Sequence, residues 1–260
     1  MKIGFQSKLK LYFFMVIWFI ICAVNTFGGD DYVKLITFAG PPSVGKTSVI
    51  VHLIEIIHKD NKSAGVIKFD CLTTFDRQIY EQANIPVQVG LSGKFCPDHF
   101  YISNIEESVN WGKSQGFDYL ITESAGLCNR CSPYIEKILA VCVIDCLSGI
   151  QTPRKIGPMV KFADVVIITK GDIISQAERE VFLYNVYQAN PKAQIIFVNG
   201  ITGQGIFMLK KILSKLEDIT DLAGTKLRFT SPAAVCSYCT DEMRVGEKYQ
   251  LGMTKKMDFN

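Results

Sequence analysis

Neither positive nor negative charge is in large excess in this sequence of 260 residues. Lysine and arginine total 28 against 25 acidic residues, and a net charge of +3 is too small to indicate a nucleic-acid partner. Repeats of roughly 20–50 residues are absent, which excludes solenoids and propellers. Disorder and coiled coil are excluded because 48% of the residues are hydrophobic and only 20% are charged. The chain therefore holds one ordinary domain with an appendage, or two small domains.

Cysteine is too sparse for a disulfide scaffold. The nine cysteines are an odd number, and two pairs have C-x-x-C spacing, Cys128/Cys131 and Cys236/Cys239. In a chain of this length that spacing favours metal ligands or a redox pair over structural disulfides. We therefore expect a reducing compartment, the cytoplasm.

No hydrophobic run reaches the roughly 20 residues that a membrane-spanning helix needs. The longest, residues 11–24, follows Lys2, Lys8 and Lys10 and has the length of a signal-peptide core. Insertion of this run would export the rest of the chain, in conflict with a reducing compartment. Two interpretations of residues 1–32 stay open: a hydrophobic signal or anchor, or a start codon assigned too far upstream. Membrane association is expected only if the run belongs to the native protein.

Short apolar segments alternate with helical patterns from Val33 onward. Nearly all-apolar strands separated by helices predict a parallel sheet covered on both faces. The predicted strands are 33–39, 66–69, 119–122, 139–144, 165–169 and 194–198, and the predicted helices are 47–58, 104–114, 153–160, 175–187 and 205–216. We predict one α/β domain over residues 33–218 and a C-terminal appendage over residues 219–260, which contains the second C-x-x-C pair.

The segment after the first predicted strand fits the pattern G-x-x-x-x-G-K-[ST]. In this pattern backbone N–H groups converge on phosphate oxygens at a helix N-terminus. Lys46 is expected to reach the β- and γ-phosphates, and the Thr47 hydroxyl is expected to bind Mg²⁺. The fold is therefore predicted to be that of a P-loop nucleotide hydrolase. The nucleotide-binding residues predicted here are Gly40, Pro41, Pro42, Ser43, Val44, Gly45, Lys46, Thr47 and Ser48.

A second motif, Thr169-Lys170-Gly171-Asp172, ends a later predicted strand and fits [NT]-K-x-D. A carboxylate at this place accepts hydrogen bonds from both N–H donors on one edge of guanine, while the lysine stem lies along the base. Adenine presents no such pair of donors. Asp172 therefore predicts selection of GTP.

A third motif, Glu123-x-x-Gly126, follows the predicted strand 119–122. We expect Glu123 to contact Mg²⁺ through water and the Gly126 N–H to approach the γ-phosphate, so that the loop senses hydrolysis. Lys46, Thr47 and Glu123 are the predicted catalytic residues. No residue is an obvious orienter of the attacking water, and slow hydrolysis by the isolated protein is expected.

Together the three motifs resemble those of the metallochaperone GTPases, which include hydrogenase nickel-incorporation, urease accessory and cobalamin-biosynthesis-type members. The resemblance covers roughly residues 34–210 and extends to the segment Asp70-x-x-Thr73-x-x-Asp76-Arg77 and to the loop 199–205. It implies that Asp70 is a Mg²⁺ or switch residue and that Asn199 and Gly200 lie near the base. It also implies a GTP-dependent homodimer and a client metalloenzyme, or its maturation factors, as partners.

The segment Cys96-Pro97-Asp98-His99 resembles the Cys-Pro-His of the urease-type members, which bind nickel or zinc across the dimer interface. Asp98 is an additional residue here. A thiolate with an imidazole suits Zn²⁺ or Ni²⁺, so Cys96 and His99 are predicted transition-metal ligands. The alternative is a loop histidine beside an incidental cysteine.

The pair Cys128/Cys131 follows Gly126 almost directly, so a metal bound there would sense the γ-phosphate. Together with Cys236/Cys239 it has the composition of a tetrathiolate site. Two arrangements stay open: the two pairs share one metal, or each pair works separately. A purely structural role for Cys128/Cys131 also stays open. Cys71, Cys142 and Cys146 are expected in the core.

Three functions are consistent with these patterns. The first is a GTP-hydrolysing metallochaperone that assists nickel or zinc insertion into a metalloenzyme. The second is an electron-transfer ATPase resembling the nitrogenase iron protein, against which Pro41 and Asp172 both argue. The third is a membrane-tethered regulatory GTPase without a metal, which requires the hydrophobic run 11–24.

Overall fold

A wholly parallel seven-stranded sheet, in the order β3-β2-β4-β1-β5-β6-β7, forms the centre of the molecule. The computed structural model describes residues 31–127, 131–229, 242–250 and 254–259. The predicted α/β class with a parallel sheet is confirmed. The strands are β1 (Lys34–Ala39), β2 (Ala64–Asp70), β3 (Val87–Leu91), β4 (Tyr119–Glu123), β5 (Leu139–Asp145), β6 (Val165–Thr169) and β7 (Gln194–Phe197).

Seven helices of the described residues lie between these strands or follow the last of them. They are α1 (Lys46–Lys59), α2 (Asp76–Gln82), α3 (Pro97–Ser114), α4 (Thr152–Lys155), α5 (Pro158–Lys161), α6 (Gln176–Ala189) and α7 (Lys210–Leu213).

The strands alternate between two packed faces. On β1, Ile36 and Phe38 pack against α1 on one side of the sheet, whereas Leu35 faces the side covered by α3. On the same face as Leu35, the part of the sheet formed by β5 and β6 packs against the buried side chains of α5 and α6. These residues form a third cluster. This two-sided burial explains why the strands are almost entirely apolar.

The described part of the chain after residue 218 packs against the second face. Ile219 forms an antiparallel bridge with Val33, and Leu222, Leu227 and Val245 are buried in the cluster that contains α3. The segment 254–259 then crosses α3, where Met257 packs against this cluster. The described residues after 218 therefore contribute to the core of the α/β domain.

The hydrophobic run 11–24 lies outside the described residues, as do Cys128, Cys236 and Cys239. Within the described ranges, no helix combines the length and the apolar character needed to cross a membrane. The interpretations of residues 1–32 stay predictions.

Candidate nucleotide-binding site

The predicted motifs meet at one edge of the sheet, because parallel strands all end on the same side. The P-loop follows β1, and Glu123 is the last residue of β4, with its Cα paired to that of Phe38 on β1. Thr169 is the last residue of β6 and is paired with Asp145, the last residue of β5. The strand ends thus bring together residues that are far apart in the sequence.

The P-loop is held in a tight conformation that requires glycine at its first position. Gly40 has φ +143°, and a Cβ there would lie 2.0 Å from the Val143 carbonyl oxygen. The Lys46 ammonium donates hydrogen bonds to the carbonyl oxygens of Gly40 (2.9 Å) and Pro41 (2.8 Å). Burial lowers the pKa of Lys46 to about 8, although the Glu123 carboxylate acts in the opposite direction.

Glu123 is the centre of a buried hydrogen-bond cluster. Its side chain is 1% exposed and accepts hydrogen bonds from Thr47 Oγ1 (Oε1, 3.1 Å), Lys68 Nζ (Oε1, 2.8 Å) and Tyr80 OH (Oε2, 2.7 Å). Burial raises the pKa of Tyr80 well above its usual range, and the neighbouring Glu123 carboxylate adds to this shift. Tyr80 is therefore a neutral hydrogen-bond donor to Glu123.

Lys68 joins Glu123 to two further carboxylates. Its ammonium lies 2.7 Å from Asp76 Oδ2 and 3.9 Å from Asp70 Oδ2. Burial acts to lower the pKa of Lys68, but the Glu123 and Asp76 carboxylates outweigh burial, and the net shift is upward. Lys68 is therefore charged in the folded protein.

The arrangement fits a nucleotide with Mg²⁺. Magnesium in nucleotide sites takes one or two protein oxygen ligands together with phosphate oxygens and water. The Thr47 hydroxyl and the Glu123 carboxylate supply such hard oxygen donors within hydrogen-bond distance of each other. Beside them, Ser124 Oγ is buried and has no hydrogen-bond partner within the described part of the chain.

The loop after Glu123 lies directly against the P-loop. Gly126 has φ +69°, and a Cβ there would lie 1.7 Å from the Gly40 carbonyl oxygen, so only glycine fits. The Gly126 backbone thus lies at the phosphate-binding loop, where the sequence predicts it.

The T-K-G-D motif is bonded to the P-loop by two side chains. Thr169 Oγ1 donates to the Val44 carbonyl (2.6 Å), and Lys170 Nζ donates to the Ser43 carbonyl (2.8 Å). Lys170 also contacts Asp145 Oδ2 at 2.7 Å. Burial would raise the pKa of Asp145, but hydrogen bonds from Lys170 and Ser148 lower it overall.

A cavity of about 570 Å³ opens beside this motif. Asp172 and Asn199 line it, together with Arg179, Gln204 and Phe197. Asn199 Oδ1 accepts hydrogen bonds from the backbone N–H groups of residues 201 and 202, which shapes the loop 199–205. The cavity is large enough for a purine base and lies where the guanine specificity motif predicts one.

Cys96 and His99 lie on the first turn of α3. Cys96 is the N-cap residue and His99 is three residues further on, so both occur at one helix end, and both are half-exposed. Asp98 is buried instead, and burial raises its pKa to about 6. The additional residue is therefore directed into the protein. Burial lowers the pKa of His99, which favours the neutral imidazole that binds metals.

Of the predicted transition-metal ligands, the structure describes Cys96, His99 and Cys131, and these three do not form one metal site. In the described ranges no group of three or more His, Cys, Asp or Glu side chains could hold a metal ion. Cys131 is buried, whereas its partner Cys128 and the pair Cys236/Cys239 lie outside the described residues. Among the expected core cysteines, Cys142 and Cys146 are confirmed as buried, but Cys71 is only half-buried.

Three residues of the site were not predicted from the sequence. Lys68 and Asp145 lie inside or at the end of buried strands and match no motif, and Tyr80 lies on a helix that was not predicted. The one available signal was a lysine within an apolar strand, two residues before Asp70. Such a residue needs buried counter-charges.

Several known proteins are similar to this chain in sequence. Residues 34–197 match the family model described as CobW/HypB/UreG, nucleotide-binding domain. An uncharacterized protein of Methanocaldococcus jannaschii is 48% identical over 225 residues, 86% of this chain and 96% of that protein. The urease accessory protein UreG of Haloquadratum walsbyi is 26% identical over 204 residues, 72% of this chain and 97% of that protein.

A solved structure has the same fold. HypB from Helicobacter pylori, crystallised in complex with nickel, matches with a TM-score of 0.56 at 17% identity, over 71% of this chain and 87% of that one. The family model covers more than half of the chain, in agreement with the resemblance carried by the three motifs. The chain belongs to the CobW/HypB/UreG family, and residues 34–197 form its nucleotide-binding domain.

Proposed function

We propose that this protein is a GTP-hydrolysing metallochaperone that assists nickel or zinc insertion into a client metalloenzyme. The observation that carries the proposal is the direct bonding of three nucleotide motifs at one edge of the sheet. Thr47 is bonded to Glu123, and Thr169 and Lys170 are bonded to the P-loop. The UreG and HypB relatives, of which the HypB structure contains nickel, support the metallochaperone role.

In this proposal the backbone N–H groups of residues 40–45 and the start of α1 bind the phosphates. Lys46 exchanges its bonds to the carbonyl oxygens of Gly40 and Pro41 for bonds to the β- and γ-phosphates. Asp172 accepts hydrogen bonds from guanine, and the loop 199–205 encloses the base. The P-loop and the T-K-G-D motif act as one unit because Lys170 of the T-K-G-D motif bonds to Ser43 of the P-loop. Lys170 also bonds to Asp145 at the end of β5.

Thr47 and Glu123 would hold Mg²⁺, with Asp70 and Asp76 close by. When bound, Mg²⁺ neutralises charge on the phosphate oxygens. Glu123 receives three hydrogen bonds from protein donors, so it holds and orients rather than abstracting a proton. We infer slow hydrolysis by the protein alone, accelerated when a second copy or the client covers the site.

Nickel or zinc is the cargo, and Cys96 and His99 are its proposed ligands. Their place on the first turn of α3, which begins at the same edge of the sheet as the nucleotide motifs, supports coupling between cargo and nucleotide. Cys128/Cys131 and Cys236/Cys239 are proposed as further thiolate ligands, in one shared site or in two.

We further infer a GTP-dependent homodimer formed through the nucleotide edge. Monomeric proteins rarely expose clustered large apolar side chains without a partner. Here several follow the carboxyl ends of β2, β4, β5 and β6. They are Leu72, Phe75, Leu127, Leu147, Ile150 and Ile173.

Metal analysis after anaerobic purification tests the proposal. We expect bound zinc or nickel that Cys96→Ser and His99→Ala lose while GTP affinity, measured by calorimetry, is unchanged. Cys71→Ser is the matched control, because Cys71 is half-buried and hydrogen-bonded by Ser92. Absence of any bound or bindable transition metal, with and without GTP, would leave a regulatory GTPase as the better reading.

A further inference from the structure

One buried charged side chain has no role in the nucleotide motifs. Lys68 lies near the end of β2, an inner strand of the sheet, and is 4% exposed. In the register of the sheet its Cα is paired with Val89 on β3 and with Glu123 on β4. Lys68 and Glu123 are thus direct cross-strand neighbours, and their opposite charges stabilise each other.

Three carboxylates face the Lys68 ammonium rather than a site for a metal ion. Its Nζ lies 2.8 Å from Glu123, 2.7 Å from Asp76 and 3.9 Å from Asp70. The described residues contain no acidic, histidine or cysteine group of three that could hold a metal ion. The ammonium lies among these carboxylates and contacts two of them directly.

Lys68 and Thr47, an expected Mg²⁺ ligand, both bond to the same oxygen atom of Glu123. Glu123 Oε1 accepts hydrogen bonds from Lys68 Nζ at 2.8 Å and from Thr47 Oγ1 at 3.1 Å. A divalent cation held by Thr47 and Glu123 would therefore lie beside the ammonium. Like charges this close repel strongly where solvent is excluded.

The charges of the cluster show how this repulsion is balanced. Glu123, Asp70 and Asp76 carry three negative charges, and Lys68 compensates one of them. The Lys46 ammonium interacts with Glu123 only through charge and makes its hydrogen bonds to backbone carbonyl oxygens of the P-loop. The phosphates of a nucleotide add the negative charge that allows Mg²⁺ and the ammonium to coexist.

We propose that Lys68 is a positioning residue that serves as the resident cation of the carboxylate cluster. It holds Glu123 and Asp76 in place before nucleotide binds, and it makes Mg²⁺ binding dependent on the nucleotide phosphates. The inference rests on the proposed function in one respect, namely that Mg²⁺ enters with GTP.

Thermal unfolding of the nucleotide-free full chain, with MgCl₂ alone as the probe, tests the proposal. We expect the wild-type Tm to be the same in EDTA and in 10 mM MgCl₂, a concentration on the order of ordinary assay conditions. Lys68→Met keeps most of the side-chain volume but leaves three uncompensated carboxylates. Its Tm should fall in EDTA and recover in MgCl₂, with Mg²⁺ bound about tenfold more tightly than by wild type, or more.

Two controls separate this role from a purely structural one. Lys68→Arg keeps the charge and should respond to MgCl₂ as wild type does. Lys62→Met removes an exposed lysine that contacts Asp118 at 2.7 Å and should not create a Mg²⁺ response. If Lys68→Met does not fold, the double variant Lys68→Met/Asp76→Asn, with one carboxylate fewer, is titrated in its place.

An equal response of wild type and variant to MgCl₂ would overturn the proposal. So would binding of Mg²⁺ by the nucleotide-free wild type as tightly as by the variant. GTP binding to the wild type is measured separately. Its absence would contradict the proposed function while leaving the outcome of the Mg²⁺ titration unaffected.

Discussion

At the residue scale, the buried Lys46 makes stability depend on pH. Burial lowers its pKa from 10.5 to about 8, so between these values the unfolded chain binds more protons than the folded chain. The burial penalty, about 3 kcal/mol, is present below pH 8 and disappears as the pH rises towards 10.5. Relative to Lys46→Met, the wild type should therefore become more stable as the pH rises from 7.5 to 10.

Urea unfolding of both proteins across this pH range measures the difference in the free energy of unfolding. The hydrogen bonds from Lys46 to the carbonyl oxygens of Gly40 and Pro41 also contribute to the difference in unfolding free energy between the two proteins. This contribution is constant at low pH. The slope against pH is therefore the informative quantity. A difference that stays constant between pH 7.5 and 10 would show that Lys46 keeps its ordinary pKa.

We expect Asp172 to determine the choice of base. GTP should bind far better than ATP, and Asp172→Ala should remove about 10²-fold or more of that preference because two N–H donors of guanine lose their acceptor. Asp172→Asn is a sharper variant. Its amide donates a hydrogen bond, so it should favour xanthosine triphosphate, which presents a carbonyl oxygen where guanine has an amino group. Equal calorimetric affinities of the wild type for GTP and ATP would contradict this assignment.

Residues inside a recurring motif could be predicted, whereas their supporting partners could not. Lys46, Thr47, Glu123 and Asp172 follow from spacing, because phosphate and guanine impose fixed chemistry on a few positions. Lys68 acts through contacts with acidic residues from three different segments of the chain. Such contacts depend on strand order, which one sequence does not specify.

At the element scale, the fully buried inner strands were predicted, whereas the edge strand β3 and helix α2 were missed. All residues of β4, β5 and β6 are buried, and these strands were predicted within two residues. The edge strand β3 was missed because Gln88 and Gly90 interrupt its apolar residues, whereas the similarly exposed edge strand β7 has an uninterrupted apolar run. Helix α2 was missed because Tyr80 is its one buried residue.

Helix α3 begins at Pro97, well before the predicted start at residue 104. Its first turns bury polar side chains, including Asp98, Ser103 and Asn104, which conceal the apolar periodicity. Asn104 has a particular reason to be buried. Its Nδ2 donates to the Lys255 carbonyl (2.9 Å), and its Oδ1 accepts from the Met257 N–H (2.7 Å).

Asn104→Ala should release the segment 254–259 from α3. The change removes two hydrogen bonds to this segment and one to the Phe100 carbonyl oxygen, with an expected loss of about 2 kcal/mol in the free energy of unfolding. Hydrogen exchange should show loss of protection at Met257 while α1 is unaffected. Asn110→Ala, an exposed change on the same helix, is the control. Unchanged protection of Met257 in Asn104→Ala would mean that apolar packing alone holds the segment.

At the scale of the whole molecule, α2 joins the buried carboxylate cluster around Lys68 to the exposed apolar edge. Tyr80 on its inner side bonds Glu123 at 2.7 Å, and Asp76 bonds Lys68 at the same distance. On the outer side, Phe75 and Ile79 are exposed to solvent. A nucleotide that displaced these carboxylates would therefore also displace α2 and the surface that we infer to form the dimer.

Phe75→Asp should abolish GTP-dependent dimerisation without affecting GTP binding. Phe75 is 79% exposed, so the substitution creates no buried charge and leaves the fold intact. Opposed copies of the new carboxylate would instead repel each other across a two-fold interface. Light scattering after size exclusion, with a non-hydrolysable GTP analogue, should show dimeric wild type and monomeric Phe75→Asp. Tyr187→Asp on α6, where Tyr187 is 53% exposed, is the matched control and should still dimerise. A monomeric wild type that binds the analogue would contradict the dimer, and a dimeric Phe75→Asp would move the interface away from α2.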